Sequence, residues 1–323
     1  MTPLVMSQLK RFQMNKCFSC YEPIESGNFH EKCSKKLFDS PIPPELDTVS
    51  SELSNYARTF IHKSLAIAGV QRKLSLHLDS KKKQRFTIVG AMGGNFILKP
   101  PSEEFAELPE LEDICMHLAR IVGISVSKHS LIPMADNKLA YITRRFDRNR
   151  GKKQAQEDAC QLSGLLTENK YRSSHERLAK IIKTYSSFSG DDLLRLFELT
   201  LFTFITGNGD MHLKNFSLLR NTQGNYRLSP AYDLVPTRLL LSVSEDPEEL
   251  ALSLNGQKNR MNLRDFIQYA DNLNIPKKVV DRTFEKIHKS IPDMNQMIQK
   301  SFLSDKKKAE FISLLSARLG RLS

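Results

Sequence analysis

No stretch of this chain is apolar enough, for long enough, to cross a bilayer. Its most apolar segment, Leu193 to Thr206, is interrupted by Arg195 and Glu198 and falls short of the roughly 20 residues that a spanning helix needs. Residues 1–14 carry basic side chains but no continuous apolar run, so no signal peptide is expected and the chain reads as cytoplasmic, with delivery into another cell left open. Cysteine is scarce as well. Five cysteines, three of them clustered, fit a reducing compartment and argue against a disulfide framework. Glycine is thin where a phosphate loop would need it. Gly69-Val-Gln-Arg-Lys73 holds a single one, which makes it a weak phosphate-binding signal on its own. There is no internal repeat.

What is present is ordinary in bulk and unusual in charge. A chain of 323 residues predicts two domains or one two-lobed enzyme. Apolar residues at 40% and charged residues at 26% are typical of a globular protein. The formal net charge of +12 suits acidic partners such as nucleic acid, a tRNA-bound protein or nucleotide phosphates. Runs such as Lys81-Lys-Lys83 and Lys306-Lys-Lys308 read as solvated faces, so direct DNA binding does not follow from them.

Residues 1–50 read as a separate module. Cys17-Phe-Ser-Cys20 is followed by His30-Glu-Lys-Cys33, and a proline-bearing linker, Ser40-Pro-Ile-Pro-Pro44, closes the segment. Two ligand pairs at knuckle spacing predict a structural Zn²⁺ with all four positions filled by Cys17, Cys20, His30 and Cys33. The alternative is ordinary thiols near a flexible terminus. A piece this small cannot bury a core unaided, so a metal staple makes physical sense.

In residues 51–145, Lys73 to Leu78 alternates apolar and polar positions, the period of a strand, and Arg85 to Val89, Asn95 to Pro100, Ser125 to Ile132 and Leu139 to Arg144 read as further short strands of an antiparallel sheet. Leu108 to Val122 has helical periodicity and stops at Gly123. Residues 146–323 read as mainly helical: Gln156 to Leu166, His175 to Tyr185, a helix capped by Ser189 and ended by Gly207, then Asn262 to Leu273, Lys277 to Ser290 and Lys306 to Leu319. The fold class predicted is α+β, a two-lobed protein-kinase-like fold with a small antiparallel-sheet N-lobe and a mainly helical C-lobe.

The most informative run is Asn208-Gly-Asp-Met-His-Leu-Lys-Asn-Phe216, followed by Asp233 in Ala231-Tyr-Asp-Leu-Val235. An aspartate, an asparagine five residues on and a second aspartate match what ATP phosphoryl transfer requires. One carboxylate orients and deprotonates the acceptor hydroxyl; the amide oxygen and the other carboxylate hold Mg²⁺. The competing reading is a polar turn between apolar segments. Lys99, at the end of an apolar strand, reads as the phosphate-binding lysine or as an edge-strand lysine reaching water. Glu112 lies in the first turn of the next helix, where it would pair that lysine or complement the helix dipole. His212 and Lys214 face the phosphates or close the turn. Cys115 and Cys160 read as core thiols, and the aromatic Phe197 to Phe204 stripe as core.

These segments together resemble the HipA family of serine/threonine kinase toxins from bacterial toxin–antitoxin systems. Ala68-Gly-Val-Gln-Arg-Lys73, Phe96-Ile-Leu-Lys-Pro100, Arg145-Phe-Asp-Arg148, Gln156-Glu-Asp-Ala-Cys-Gln161, Gly209 to Phe216 and Ala231-Tyr-Asp-Leu234 appear in family order across roughly residues 60–320. The resemblance implies Asp210 as catalytic base, Asn215 and Asp233 as Mg²⁺ ligands and Lys99 on the ATP phosphates. It also implies Lys73 near those phosphates, and Arg144 to Phe146 as the hinge that receives adenine. The implied targets are aminoacyl-tRNA synthetases, and the implied partner is a HipB-like DNA-binding antitoxin, which links the chain to DNA indirectly. The family's extra N-terminal subdomain has no counterpart here, so the chain is most similar to the shortened HipT of three-gene systems, with a HipS-like small protein supplying the missing part. Family members autophosphorylate a serine just before the Gly-Val-Gln segment. Here the stretch is Ala66-Ile-Ala-Gly69: this control is absent, or Ser64 takes it over, or Ala66 replaces a native serine, the reading favoured here. Two alternatives stand beside the protein kinase: a small-molecule phosphotransferase of aminoglycoside-kinase type, and a catalytically silent regulator that binds DNA or a partner.

Overall fold

The computed structural model describes residues 15–52, 73–79, 85–89, 93–149 and 152–322. Lys81 to Lys83, most of the Gly69-Val-Gln-Arg-Lys73 run, and Ser64 and Ala66 lie outside the described residues. The period-2 segments pair into a five-stranded antiparallel sheet. Its strands are β1 (Leu74–Asp79), β2 (Arg85–Val89), β3 (Phe96–Lys99), β4 (His129–Pro133) and β5 (Leu139–Arg144), in the order β2-β1-β3-β5-β4. The strand expected from Ser125 begins only at His129.

Alternation sorts the side chains of this sheet onto two faces. Leu74, Leu76, Leu78, Phe96, Leu98, Ala140 and Ile142 fall on the rear face, packed with Phe29, Leu37, Phe38 and Leu46 from the N-terminal segment and its helix α1 (Glu31–Phe38). Ile97, Lys99, Tyr141 and Thr143 fall on the other face and line a cavity. The N-terminal residues thus share a core with the sheet and close its back.

Gly94 sets the entry into β3. Its φ of +78° is left-handed, and a Cβ built there would stand 2.3 Å from the Leu76 carbonyl oxygen. Gly94→Ala is therefore expected to cost about 2 kcal/mol or more through strained backbone and displaced β1. Urea denaturation would read this as a lower midpoint at unchanged m-value, and a midpoint equal to that of the parent chain would refute it.

Helix α2 (Leu108–Ile121) crosses the sheet with Leu111, Ile114, Cys115 and Leu118 fully buried. The C-lobe follows: α3 (Ala159–Leu162), α4 (His175–Tyr185), α5 (Ser189–Thr206), α6 (Leu263–Asn272), α7 (Lys277–Lys300) and α8 (Asp305–Leu319). Phe197, Phe202, Phe204, Phe266 and Phe311 are buried in its core, and Cys160 on α3 is buried in the same cluster. Among the described residues, no helix is long and apolar enough to cross a membrane.

Three helix expectations are corrected. The helix expected over Gln156 to Leu166 is a strand, Gln156–Asp158, followed by the single turn of α3. The strand wins because Ser217–Arg220 offers it a partner, with Asp158 opposite Ser217. Ser189 is the first residue of α5 rather than its cap, which falls at Phe188 with no side-chain bond. Helix α7 runs through Pro292 to Lys300, because Met294 and Ile298 continue the buried face.

Candidate active site

The site is built where the sheet meets the C-lobe. Gly207 ends α5 in the left-handed region at φ +69°, turning the chain into the loop that carries Asp210. The loop is held by its own polar groups. The Asn208 side chain accepts from the Asp210 amide at 3.1 Å, and the Asn215 side-chain amide donates to the Asp210 carbonyl at 3.1 Å. With its nitrogen so engaged, Asn215 keeps its Oδ1 as an acceptor. A hairpin of Ser217–Arg220 and Tyr226–Leu228 then leads to Asp233, a non-glycine residue at φ +61°. Backbone in that region is costly and persists where surrounding contacts impose it.

Lys73, Lys99, Glu112, Arg144, Phe146, Asp210, His212, Asn215 and Asp233 all line one cavity of about 880 Å³. Lys99 is buried and donates to both Glu112 oxygens, at 2.7 and 2.8 Å, and to Asp233 Oδ1. Burial works against the Lys99 charge, but Asp233 and Glu112 outweigh it and hold the ammonium above its ordinary range. Burial pushes the Glu112 carboxyl up to about 7, opposed by Lys99. For Asp233 the balance is reversed: burial is overcome by Lys99 and Lys73, which hold it down to about 2. Lys73 opens into the cavity, where loss of solvent lowers its pKa and Asp233 opposes the shift.

Asp210 carries a raised pKa, through burial first and the Asp233 charge next, with the Tyr171 hydrogen bond opposing. Burial, with Lys170 adding, holds His212 down to about 4, so its imidazole is neutral at pH 7. His212 Nδ1 and Asn208 Nδ2 are buried without a hydrogen-bond partner, which leaves them available to a bound group. Phe146 leans on Tyr232 with ring centroids 5.4 Å apart. Arg144 reaches the cavity wall, but its guanidinium turns outward to the Asp39 carboxylate at 2.5 Å.

Some neighbours are invisible to sequence reasoning. Tyr171 donates its hydroxyl to Asp210 Oδ1 and sets its ring edge-on to His212, with centroids 5.0 Å apart. Asp246 and Glu248 approach Gly209 from a distant loop. No local pattern marks either contact. Asp158 was within reach: it forms a capping box with Gln161 and pairs with Lys214 at 2.9 Å, and Asp-x-x-Gln is a readable capping signature.

Cys17, Cys20, His30 and Cys33 lie away from the cavity, gathered with their ligand atoms within 4.8 Å of one another. A second cluster is wholly buried where α2, β4 and the N-terminal segment meet. Asp113 accepts from the Tyr21 hydroxyl and from His129 Nδ1, each at 2.6 Å, with His117 Nε2 at 3.5 Å. Burial opposes the Asp113 charge, yet His129 and His117 hold its carboxyl well below the usual carboxylate range.

A sheet lobe and a helical lobe enclosing a bracketed lysine and an Asp–Asn–Asp loop define a protein-kinase-like fold. The chain belongs to the HipA-like C-terminal domain family, which matches residues 65–294. It is 27% identical to a "putative kinase" of Haemophilus influenzae, over 90% of this chain and 87% of that protein. It is 28% identical to the serine/threonine-protein kinase toxin HipA of Shewanella oneidensis over 71% of this chain, but spans only 56% of that toxin. Two Sinorhizobium fredii relatives are likewise covered over 45% and 52% of their length. Among solved structures, Shewanella oneidensis HipA, crystallised with HipB and operator DNA, aligns with a TM-score of 0.66 at 20% identity, over 86% of this chain and 71% of that one. The Helicobacter pylori proinflammatory kinase CtkA aligns at 0.53 and 16% identity, over 76% and 93%. At these identities the two structures establish the fold.

Proposed function

We propose that this chain is a serine/threonine protein kinase toxin that transfers the ATP γ-phosphoryl group to a protein hydroxyl, with an aminoacyl-tRNA synthetase as target. The observation that carries this reading is the convergence of Lys99, Glu112, Asp210, Asn215 and Asp233 on one cavity. These residue types in this arrangement are the working parts of phosphoryl transfer.

In this reading Asp210 accepts the proton of the attacking hydroxyl, and the Tyr171 contact fixes the orientation of its carboxylate. Lys99 neutralises phosphate charge, and Glu112 keeps the ammonium in place. Asn215 Oδ1 and Asp233 fit a divalent ion, since both are hard oxygen donors and Asp233 is held ionised. Bound Mg²⁺ would neutralise charge developing on the transferred group. Lys73 adds a second cation from the β1 end, His212 offers a neutral donor, and Phe146 and Arg144 form the wall for adenine. The partition into residues 1–50, 51–145 and 146–323 belongs to the same reading. So do the HipT-like subtype, a HipS-like partner protein, a HipB-like antitoxin, and the cytoplasmic site of action.

The test is to incubate the purified chain with Mg²⁺, γ-labelled ATP and a bacterial lysate containing tRNA, beside Asp233→Ala. One labelled protein, absent with the variant and identified by mass spectrometry, is the expected result. Label on a small alcohol instead would transfer the chain to the small-molecule phosphotransferases. Absence of any ATP binding would leave a silent regulator.

A further inference from the structure

We propose that Cys17, Cys20, His30 and Cys33 bind one Zn²⁺, and that this ion holds the N-terminal segment as a strut between the rear of the sheet and helix α2. The inference goes beyond the kinase reading and does not depend on it.

The donor set comes first. Three sulfurs and one imidazole nitrogen lie mutually within 4.8 Å. A tetrahedral Zn²⁺ with Zn–S of about 2.3 Å sets sulfur donors about 3.8 Å apart, so closure needs only small side-chain shifts. All three sulfurs are free thiols. A disulfide between two of them would leave the third and the histidine without a role.

The orientation of His30 is the second observation. It occupies the N-cap position of α1, yet its side chain caps nothing. Instead Nδ1 lies 3.3 Å from Cys20 Sγ and 4.0 Å from Cys33 Sγ, while Nε2 lies 3.0 Å from the Pro23 carbonyl. A carbonyl on Nε2 fixes the proton there and leaves Nδ1 as the lone-pair donor, the outer support usual for a metal-bound histidine. The His30 amide also donates to Cys17 Sγ at 3.4 Å, which ties the histidine and this sulfur together. Four protein ligands close the coordination sphere, so the ion is structural and leaves no position for substrate.

What the ion would hold is on either side of it. Tyr21, one residue beyond Cys20, stands at φ +63° and buries its hydroxyl on Asp113 at 2.6 Å. Asp113 is the neighbour of Glu112, which grips Lys99. On the same loop, Lys16 donates to the carbonyls of Lys300 and Ser301 at 2.8 and 3.1 Å, and Phe18 packs on Phe302. Beyond Cys33, Leu37 and Phe38 cover the sheet. A segment too short for its own core thus touches both lobes and the sheet, and the metal is what keeps these contacts in one piece.

The test uses the whole purified chain. Elemental analysis and native mass spectrometry are expected to find one zinc per chain. Stripping with 1,10-phenanthroline should expose Cys17, Cys20 and Cys33 to iodoacetamide, while Cys115 and Cys160 behave alike with and without zinc. Amide exchange in peptides covering 108–121 should quicken by about tenfold on stripping. A chain that neither retains zinc nor binds added Zn²⁺, or one in which two of the three thiols form a disulfide, would overturn the site. Zinc retained by the Cys17→Ser/Cys33→Ser variant would do the same. Unchanged exchange over 108–121 after complete stripping would overturn the strut. None of these readouts involves phosphate transfer, so failure of the kinase assignment leaves them intact, and the reverse also holds.

Discussion

Asp210→Asn is expected to lower phosphoryl transfer by roughly 10²- to 10⁴-fold while leaving ATP binding near its parent value. Asparagine has the size of aspartate, and the backbone of Asp210 is already tied at both ends, its amide to Asn208 and its carbonyl to Asn215. The loop therefore keeps its shape. What is lost is the carboxylate that takes the proton. The pH profile provides a second readout. Burial and the Asp233 charge raise the Asp210 pKa, so its carboxyl picks up a proton at a higher pH than an exposed aspartate does. The kcat/KM of the parent chain should fall as pH drops through that raised value. The residual activity of the variant should lack this limb. Parent-level transfer by Asp210→Asn, measured with the labelled substrate, would end the assignment of Asp210 as base.

Lys99→Met should have the largest effect on stability. The ammonium is almost wholly buried and stands between Glu112 and Asp233. Methionine fills a similar volume but leaves the fully buried Glu112 carboxylate without a cation. Removing one partner of a buried ion pair costs about 3–5 kcal/mol, because the group left behind must keep its desolvation penalty or take up a proton. The double change Lys99→Met/Glu112→Leu should recover much of this, since a well-packed apolar pair is often no less stable than the ion pair it replaces. Chemical denaturation of the three chains would check both statements. A single variant as stable as the parent, or a double variant no better than the single one, would contradict this account.

The parts of the fold that repeat locally were legible in the sequence. Alternation in 73–78 marks a strand because one face packs while the other looks elsewhere, the short apolar runs at 85–89 and 95–100 read the same way, and the sheet forms on those segments. Gly207 marks the end of α5 for an equally local reason, since a left-handed residue favours glycine. The loop from Asn208 to Asn215 stood out by its Asp and Asn spacing, and its Asp210 and Asn215 line one cavity with Lys99, Glu112 and Asp233. What was missed depends on distant partners. Gln156–Asp158 becomes a strand only because Ser217–Arg220 arrives some sixty residues later. Helix α7 passes Pro292 because the core asks for Met294 and Ile298. Tyr171 on Asp210 and Tyr21 on Asp113 are contacts that no short pattern encodes. The N-terminal residues read as a separate module because their cysteines and prolines are local signals, while their shared core with Leu76 and Leu98 is not.

The grip of Lys16 on the carbonyls of Lys300 and Ser301 joins residues 284 and 285 positions apart. On a ribosome adding about 5–20 residues per second, the first-made part of the chain waits tens of seconds for the helix that receives it. Until then the loop that carries Lys16 lacks its contacts to Lys300 and Ser301. Partly made chains are therefore expected to be more protease-sensitive over residues 15–50 than the finished chain.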